Sequence, residues 1–228
     1  MENIGHRQSR EGSGSRGTHR RERRADRHQV LSVECLEDRL LLDVKTLTPL
    51  KDNTLIESAT GSLSNGGDAS FFVGRTVQTS GGAPPRGCAV DEAECAVRRG
   101  VIAFDIAGNI PAGATINSVT LKLRMSKDLG AQAWNIELHR LLAGWGEGTA
   151  DGSRGGGLGA AAAPGDATWL YKSFDTSTWA TPGGDFAGTT SASQSVAGVG
   201  DYLWGSTPQM VADVQSWLDT PSSNSGWS

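Results

Sequence analysis

The chain has 228 residues, a length that suits one domain of about 150–200 residues plus a tail. Its 31 glycines and 8 prolines are typical of strands joined by short turns, and they favour an all-β fold. The net charge of −4 leaves no global positive field for nucleic acid, and no run of 18 apolar residues predicts a membrane span.

Residues 1–30 form a basic tail. They hold eight arginines and four acidic residues, a local charge of +4, whereas the remainder of the chain carries −8. Almost nothing in this tail is apolar, so it cannot bury enough surface to offset the entropy lost on ordering, and disorder is predicted. No aromatic residues interleave with the arginines to stack on bases, which favours a solvated tail over a nucleic-acid patch.

Residues 31–43 contain the first apolar segment, and it resembles the LEPR-XLL motif of large bacterial surface proteins. The matching residues are Leu36, Glu37, Arg39, Leu41 and Leu42. Asp38 stands where that motif has proline. The resemblance implies export to an extracellular or cell-surface location, although charged residues interrupt the apolar core that a standard secretory signal has.

Three cysteines leave the redox compartment open. Cys88 and Cys95 lie in one polar loop, and a disulfide between them would contribute about 2.5 kcal/mol by restricting the unfolded chain. Two free thiols are the alternative, and a zinc site lacks two further ligands nearby. Cys35 has no evident partner.

From residue 44 onward the sequence predicts a series of short strands. These are Thr54–Glu57, Ser70–Gln78, Gly100–Ile106, Ser118–Ser126, Ala133–Leu141, Trp169–Ser173 and Tyr202–Trp204. In Ser118–Ser126 apolar and polar residues alternate, which predicts one buried and one solvated face. The apolar residues of that strand are Val119, Leu121, Leu123 and Met125. Their burial would contribute about 6–12 kcal/mol.

The last third of the chain combines a long irregular region with one helix. Residues 142–200 are rich in Gly, Ala, Ser and Thr, and a region of this length is expected to be functional or disordered. Pro208–Leu218 predicts a helix, with Thr207 as its N-cap and apolar residues at helical spacing. Trp227 and Ser228 are typical of the opening of another strand, cut short.

Taken together, these segments resemble the DNRLRE domain family of extracellular bacterial and archaeal modules. The matching segments are residues 98–106, 110–125, 145–149, 165–169, 181–186 and 210–218. The resemblance covers about 170 residues and implies a jelly-roll β-sandwich with one short C-terminal helix, within a larger protein that has other domains. Family members usually continue into an apolar final strand, so residues 44–228 are expected to be truncated there, with an unpaired sheet edge.

Three motifs of the resemblance suit structural roles or a calcium site. In WGEGT, Trp145 could plug one end of the sandwich, and in GDATW, Asp166 could cap a turn. In TPGGDF, the proline and glycines suit a turn, and Phe186 is expected to return to the core. A structural Ca²⁺ is the alternative, because calcium takes six to eight oxygen ligands from carboxylates and loops. The plausible donors are Asp52, Asp166, Asp185 and Asp201, and no spacing selects among them.

The sequence contains none of the common catalytic motifs, and its polar strand faces offer the best binding residues. Lys122, Arg124, Glu137 and His139 could share one sheet face if their strands are neighbours. Basic groups there would suit an acidic polysaccharide through charge-assisted hydrogen bonds. Trp145 could stack on a sugar ring, as could Trp169 or Trp179.

The leading hypothesis is therefore a non-catalytic extracellular module that binds carbohydrate, with an acidic polysaccharide as its partner. A structural spacer or adhesion module of a cell-surface protein is the first alternative. A polysaccharide lyase or hydrolase is the second, since two carboxylates at a suitable distance would suffice for hydrolysis.

Overall fold

The computed structural model describes residues 43–75, 97–127, 132–152 and 157–228. The described strands are β1 (Lys51–Ile56), β2 (Leu63–Ser64), β3 (Gly74–Arg75), β4 (Val97–Ala103), β5 (Leu121–Met125), β6 (Trp134–Leu141), β7 (Ala160–Ala161), β8 (Tyr171–Ser173), β9 (Ser177–Thr178), β10 (Phe186–Val196) and β11 (Gly200–Trp204). Helix α1 spans Pro208–Asp219, and a 3-10 turn follows at Pro221–Ser223.

All pairs among these strands are antiparallel. β4 pairs with β1 on one side and β3 on the other, β6 pairs with β10, and β5 pairs with β11. Two shorter pairs, β2 with β7 and β8 with β9, lie in the segments that connect the longer strands. The described part of the chain is thus mostly strands in several small antiparallel sheets with one α-helix, and none of these sheets closes into a barrel.

Residues 226–228 lie between β4 and β6. Trp227 exchanges two backbone hydrogen bonds of 2.9 Å with Ile102 of β4. On the other side Ser228 exchanges bonds of 2.8 and 2.9 Å with His139 of β6, and Leu141 donates to the carbonyl of Gly226. This short segment therefore joins the β1/β4 sheet to the β6/β10 sheet edge to edge. Trp227, predicted as the opening of a strand, is 2% exposed.

One core, which we call the helix-side core, is packed beneath α1. Its buried members are Ile106, Leu121, Leu138, Ala192, Val196, Trp204, Met210, Val214, Trp217, Leu218 and Trp227. The rings of Trp217 and Trp227 meet edge to face at 4.6 Å. β5 supplies alternate residues to this core, as the apolar–polar alternation predicts.

Helix α1 forms for the local reasons that the sequence indicates. The hydroxyl of Thr207 accepts the backbone N–H of Met210 at 3.0 Å, and Pro208 occupies the first turn. One buried position is polar: Asp213 accepts hydrogen bonds from Ser191 of β10 at 2.5 Å and from the indole of Trp227 at 3.1 Å. A buried carboxylate with such partners fixes the helix against the strands.

A second core, the loop-side core, contains three tryptophans. Its buried members are Leu55, Val101, Ala103, Leu141, Trp145, Ala167, Trp169 and Trp179. Because Val101 and Ala103 belong to this core and Ile102 faces the opposite way, β4 is buried on both faces.

The longest strand lies inside the region predicted to be functional or disordered. β10 has eleven residues, FAGTTSASQSV, with few apolar side chains, so its sequence lacks the alternation that marks a half-buried strand. Small residues at Ser191 and Ala192 instead permit close packing against α1. The predicted strand Ser70–Gln78 is reduced to β3 within the described residues.

The described part of the chain contains no helix that is both long enough and apolar enough to cross a membrane.

Candidate functional site

An open groove of about 470 Å³ lies beside the start of β10. It is lined by Arg99, Leu142, Ala180, Thr181, Pro182, Gly184, Asp185 and Phe186. β4 contributes Arg99, β10 begins with Phe186, and the loop before β10 forms one wall. The groove combines one cation with apolar surface, since Leu142 is 62% exposed.

Arg99 is held in place by aromatic rings and a carbonyl. Its guanidinium carbon lies 4.8 Å from the ring centre of Phe186 and 5.1 Å from that of Trp169, both within cation–π range. One terminal nitrogen donates to the carbonyl of Gly183 at 2.8 Å. Burial lowers the pKa of Arg99 from its usual value, but a guanidinium stays charged at any physiological pH.

The wall formed by residues 180–185 is a tight turn. The carboxylate of Asp185 accepts the backbone N–H groups of Ala180 and Thr181 at 2.9 and 2.8 Å. Gly183 has φ of 88°, and a β-carbon there would lie 2.5 Å from Arg99 and 2.7 Å from the Trp169 ring. Only glycine suits this position, as expected for the TPGGDF turn.

From the groove, a line of side chains continues along β6, on the face that carries Glu137 and His139. The ring of His139 lies 5.6 Å from that of Phe186, and its Nδ1 is 2.9 Å from the carbonyl of Ala187. Its Nε2 is 3.3 Å from a carboxylate oxygen of Glu137. We call Arg99, Phe186, His139 and Glu137 the polar row, because each contacts the next.

Lys122 and Arg124 lie elsewhere, on the pair β5/β11. Both contact Asp201, with nitrogen–oxygen distances of 3.3 Å, and about two-thirds of each side chain is exposed. Hydrogen bonds from these two cations hold the pKa of Asp201 below its usual value. Because β5 pairs with β11 and β6 with β10, the four predicted residues form two separate pairs.

Trp145 is placed in the loop-side core and is 6% exposed. Its indole N–H donates to the carbonyl of Ser225 at 2.8 Å, and the ammonium of Lys51 lies 4.2 Å above its ring. Trp169 and Trp179 are buried as well. These rings are covered by protein in the loop-side core, which corrects the prediction that they stack on sugars.

The four aspartates considered as calcium ligands have other partners or neighbours. Asp166 caps its turn as predicted: it accepts the N–H groups of Thr149 and Ala163 at 2.9 and 3.0 Å. Asp185 holds the groove wall, and Asp201 pairs with Lys122 and Arg124. Among the described residues, no three carboxylate, histidine or cysteine side chains group to hold a metal ion.

Asp52 is the fourth of these aspartates. Its pKa is raised by partial burial and by the nearby carboxylates of Glu147 and Asp68. Its backbone N–H donates to Glu147 at 3.2 Å. The two acidic side chains therefore lie close together, beside Lys51, whose pKa is lowered by burial.

Three predictions fall outside the described residues. These are the disorder of the basic tail at residues 1–30, the motif within residues 31–42, and the Cys88–Cys95 pair together with Cys35.

Sequence reasoning found half of the polar row. It identified Glu137 and His139 from alternation in β6, but it missed Arg99 and assigned Phe186 to the core alone. The pair Arg98–Arg99 within an apolar strand was the available signal, because two adjacent residues of a strand face opposite sides and both sides of β4 are buried.

No known protein family, characterised protein or solved structure matches this chain.

Proposed function

We propose that the chain is a non-catalytic carbohydrate-binding module that binds an acidic polysaccharide along the polar row. The observation that carries the proposal is the guanidinium of Arg99, stacked on Phe186 at the edge of an open groove. A planar guanidinium matches a carboxylate with two parallel hydrogen bonds. Arg99 donates to Gly183, and no other described residue accepts a hydrogen bond from it.

The rest of the groove suits a sugar ring beside that carboxylate. The exposed face of Leu142 and the ring of Pro182 offer apolar surface to the C–H groups of a sugar. His139 and Glu137 continue the row with groups that can bond hydroxyls. Because Asp185 already fixes the wall, little ordering entropy would be lost on binding.

The proposal includes the finer architecture and setting that the resemblance implies. We infer that the sheets belong to a jelly-roll β-sandwich and that the module works outside the cell or at its surface, within a larger protein. The support is the placement of β4 and β6 between two cores.

A titration of the intact chain with soluble polysaccharides tests the function. Polygalacturonate or alginate should bind with a Kd in the micromolar to millimolar range, and neutral dextran should bind at least tenfold more weakly. Arg99→Ala should weaken acidic-polysaccharide binding about 10–100-fold, the equivalent of a hydrogen bond to a charged group. Arg99→Lys should fall between, because it keeps the charge and loses the planar fork.

The double variant Lys122→Ala/Arg124→Ala is the matched control for charge. It removes two positive charges at an exposed patch where Asp201 already offsets one of them, so it should change the affinity less than threefold. If this variant abolishes binding and Arg99→Ala does not, the site lies on β5/β11 instead. Equal binding of acidic and neutral chains, or none, would favour the spacer alternative. Release of unsaturated uronates would favour a lyase.

A further inference from the structure

Glu137 places a negative charge in the polar row, at the end opposite to Arg99. Its carboxylate lies 3.3 Å from Nε2 of His139 and accepts hydrogen bonds from the side chains of Asn135 and Thr190 at 3.3 and 3.5 Å. About half of the Glu137 side chain is exposed. In the described part of the chain, no lysine or arginine forms an ion pair with it. A ligand that follows the row therefore meets this carboxylate directly.

An irregularity in β10 fixes the ring of His139 between the two charged ends of the row. Phe186 pairs with Leu141 and Thr190 with His139, so β10 advances four residues where β6 advances two. This bulge brings the carbonyl of Ala187 to 2.9 Å from Nδ1 of the ring. Since the ring also packs on Phe186, it is held on three sides. The two charged ends form no ion pair with each other, so both charges stay available to a ligand.

The two ends of the row favour different groups of a sugar chain. At Arg99 the planar guanidinium matches a carboxylate. At Glu137 the carboxylate accepts hydrogen bonds from hydroxyl groups and repels another anion. A polysaccharide with a carboxylate on every sugar would bind at Arg99 and bring a second carboxylate toward Glu137. A polysaccharide with an uncharged sugar at that place would donate hydroxyl hydrogen bonds to Glu137 instead.

We propose that the polar row selects polysaccharides in which acidic sugars are interspersed with uncharged sugars, and that Glu137 sets this preference. The inference rests on the proposed function, because it takes a uronate carboxylate to bind at Arg99. A site gains specificity when it repels the wrong ligand as well as attracting the right one. Arg99 supplies the affinity for an acidic sugar, and Glu137 limits how densely the acidic sugars are spaced.

Partly esterified polyuronates test this inference, because a methyl ester removes the charge of a uronate and leaves its ring and hydroxyl groups in place. One series is made from polygalacturonate and one from alginate. Each contains the free acid, the half-esterified polymer and the fully esterified polymer. Calorimetric titration of the full chain at pH 7 measures the affinity per sugar residue. At an ionic strength of about 0.15 M the Debye length is about 8 Å, so charges far from the row contribute little.

The half-esterified polymer should bind the wild-type chain about 3–10-fold more tightly than the free acid, and the fully esterified polymer should bind most weakly. Glu137→Gln keeps the size of the side chain and removes its charge, so the free acid should then bind at least as tightly as the half-esterified polymer. Asp105→Asn is the matched control. It removes an exposed carboxylate that accepts the N–H of Gly108, outside the row, and should keep the wild-type order.

Failure of this inference can be told apart from failure of the proposed function. If no member of either series binds, or if Arg99→Ala leaves every affinity unchanged, the proposed function fails and the inference fails with it. If Arg99→Ala weakens binding but the wild type prefers the free acid, only the inference is overturned. The same conclusion follows if Glu137→Gln keeps the wild-type order, or if Asp105→Asn changes the order as Glu137→Gln does, since net charge would then explain the preference.

Discussion

The two cores differ in what covers them. The helix-side core lies beneath α1 and the β5/β11 pair, elements with apolar residues at regular spacing. The loop-side core is covered by irregular chain between β6 and β10, which contributes three buried tryptophans. Regular elements satisfy their own backbone groups, whereas irregular chain needs side chains to do so. The loop side therefore depends on buried polar residues that the helix side largely lacks.

Asn53 shows how the loop side is held. It is fully buried in β1, and its amide donates to Ser64, to the carbonyl of Glu147 and to that of Ala167. Its oxygen accepts the N–H of Asn65 at 3.0 Å. One side chain thus links β1, β2 and two loops. Its hydrogen bonds hold these segments together as backbone pairing holds the strands of a sheet.

The largest effect is expected in the helix-side core. Trp217→Ala removes a fully buried ring that packs on Trp227, and truncation of a buried tryptophan costs about 3–5 kcal/mol. Urea unfolding at pH 7 measures the loss. Leu203→Ala is the matched control, because Leu203 is 52% exposed and should cost less than about 1 kcal/mol.

A loss below about 1 kcal/mol for Trp217→Ala would contradict the assignment of Trp217 to a packed core. The segment 226–228 should also loosen in this variant, since Trp227 loses its ring contact. Faster hydrogen exchange at the amides of Trp227 and Ser228 would report this.

The second effect removes an acceptor from the loop side. Asp166→Ala removes a buried carboxylate and leaves the partly buried N–H groups of Thr149 and Ala163 without an acceptor, at a cost of up to about 1–3 kcal/mol for each. The measured loss should be about 2–4 kcal/mol by urea unfolding. Asp105→Ala serves as the control. It removes one exposed bond to the N–H of Gly108, so it should cost less than about 1 kcal/mol.

If Asp166→Ala and Asp105→Ala cost the same, the loop side does not depend on buried acceptors, and the contrast between the two cores fails. Added calcium should leave the stability of both variants unchanged, because Asp166 acts as an acceptor of backbone N–H groups.

Elements with a regular hydrophobic period could be predicted from the sequence, whereas elements that depend on contacts far away in the chain could not. The helix, predicted as Pro208–Leu218 and observed as Pro208–Asp219, and the alternation of β5 could be predicted, because the hydrophobic period of each element is visible in its own sequence. β10 could not, because its fit depends on small residues facing Asp213 of α1, a contact far away in the chain. For the same reason a carboxylate at position 166 could be predicted to cap a turn, while its partner at Thr149 could not be named.

The residues of the candidate site also differ in whether the sequence could predict them. Glu137 and His139 share a face by the period of β6, and the sequence predicted that. Arg99 joins them only because β4 and β6 both border residues 226–228 and because the turn before Phe186 closes over Trp169. Such a constellation depends on sheet order, which short-range patterns do not contain.

The smallest expected effects are changes in the pH dependence of stability at two aspartates, Asp52 and Asp201. Asp52, beside the loop side, has a raised pKa caused by partial burial, then by Glu147 and by Asp68. A group with a raised folded-state pKa favours folding below its unfolded-state pKa of about 3.9, and that contribution is lost as pH rises through the folded value. Asp52→Asn should therefore stabilise the protein at pH 7, by no more than about 1 kcal/mol, and match the wild type near pH 3.

The contribution of Asp201, on the β5/β11 pair, should change with pH in the direction opposite to that of Asp52. Its pKa is lowered by hydrogen bonds from Lys122 and then Arg124, so its contribution is present above the unfolded-state pKa and is lost as pH falls through the folded value. Asp201→Asn should slightly lower the melting temperature at pH 7, and this effect should shrink as the pH falls below about 3.9. Thermal unfolding of both variants between pH 3 and pH 7 measures the two slopes. Slopes of the same sign would show that Asp52 is held by a cation, because only a favourable partner makes a carboxylate stabilising at neutral pH.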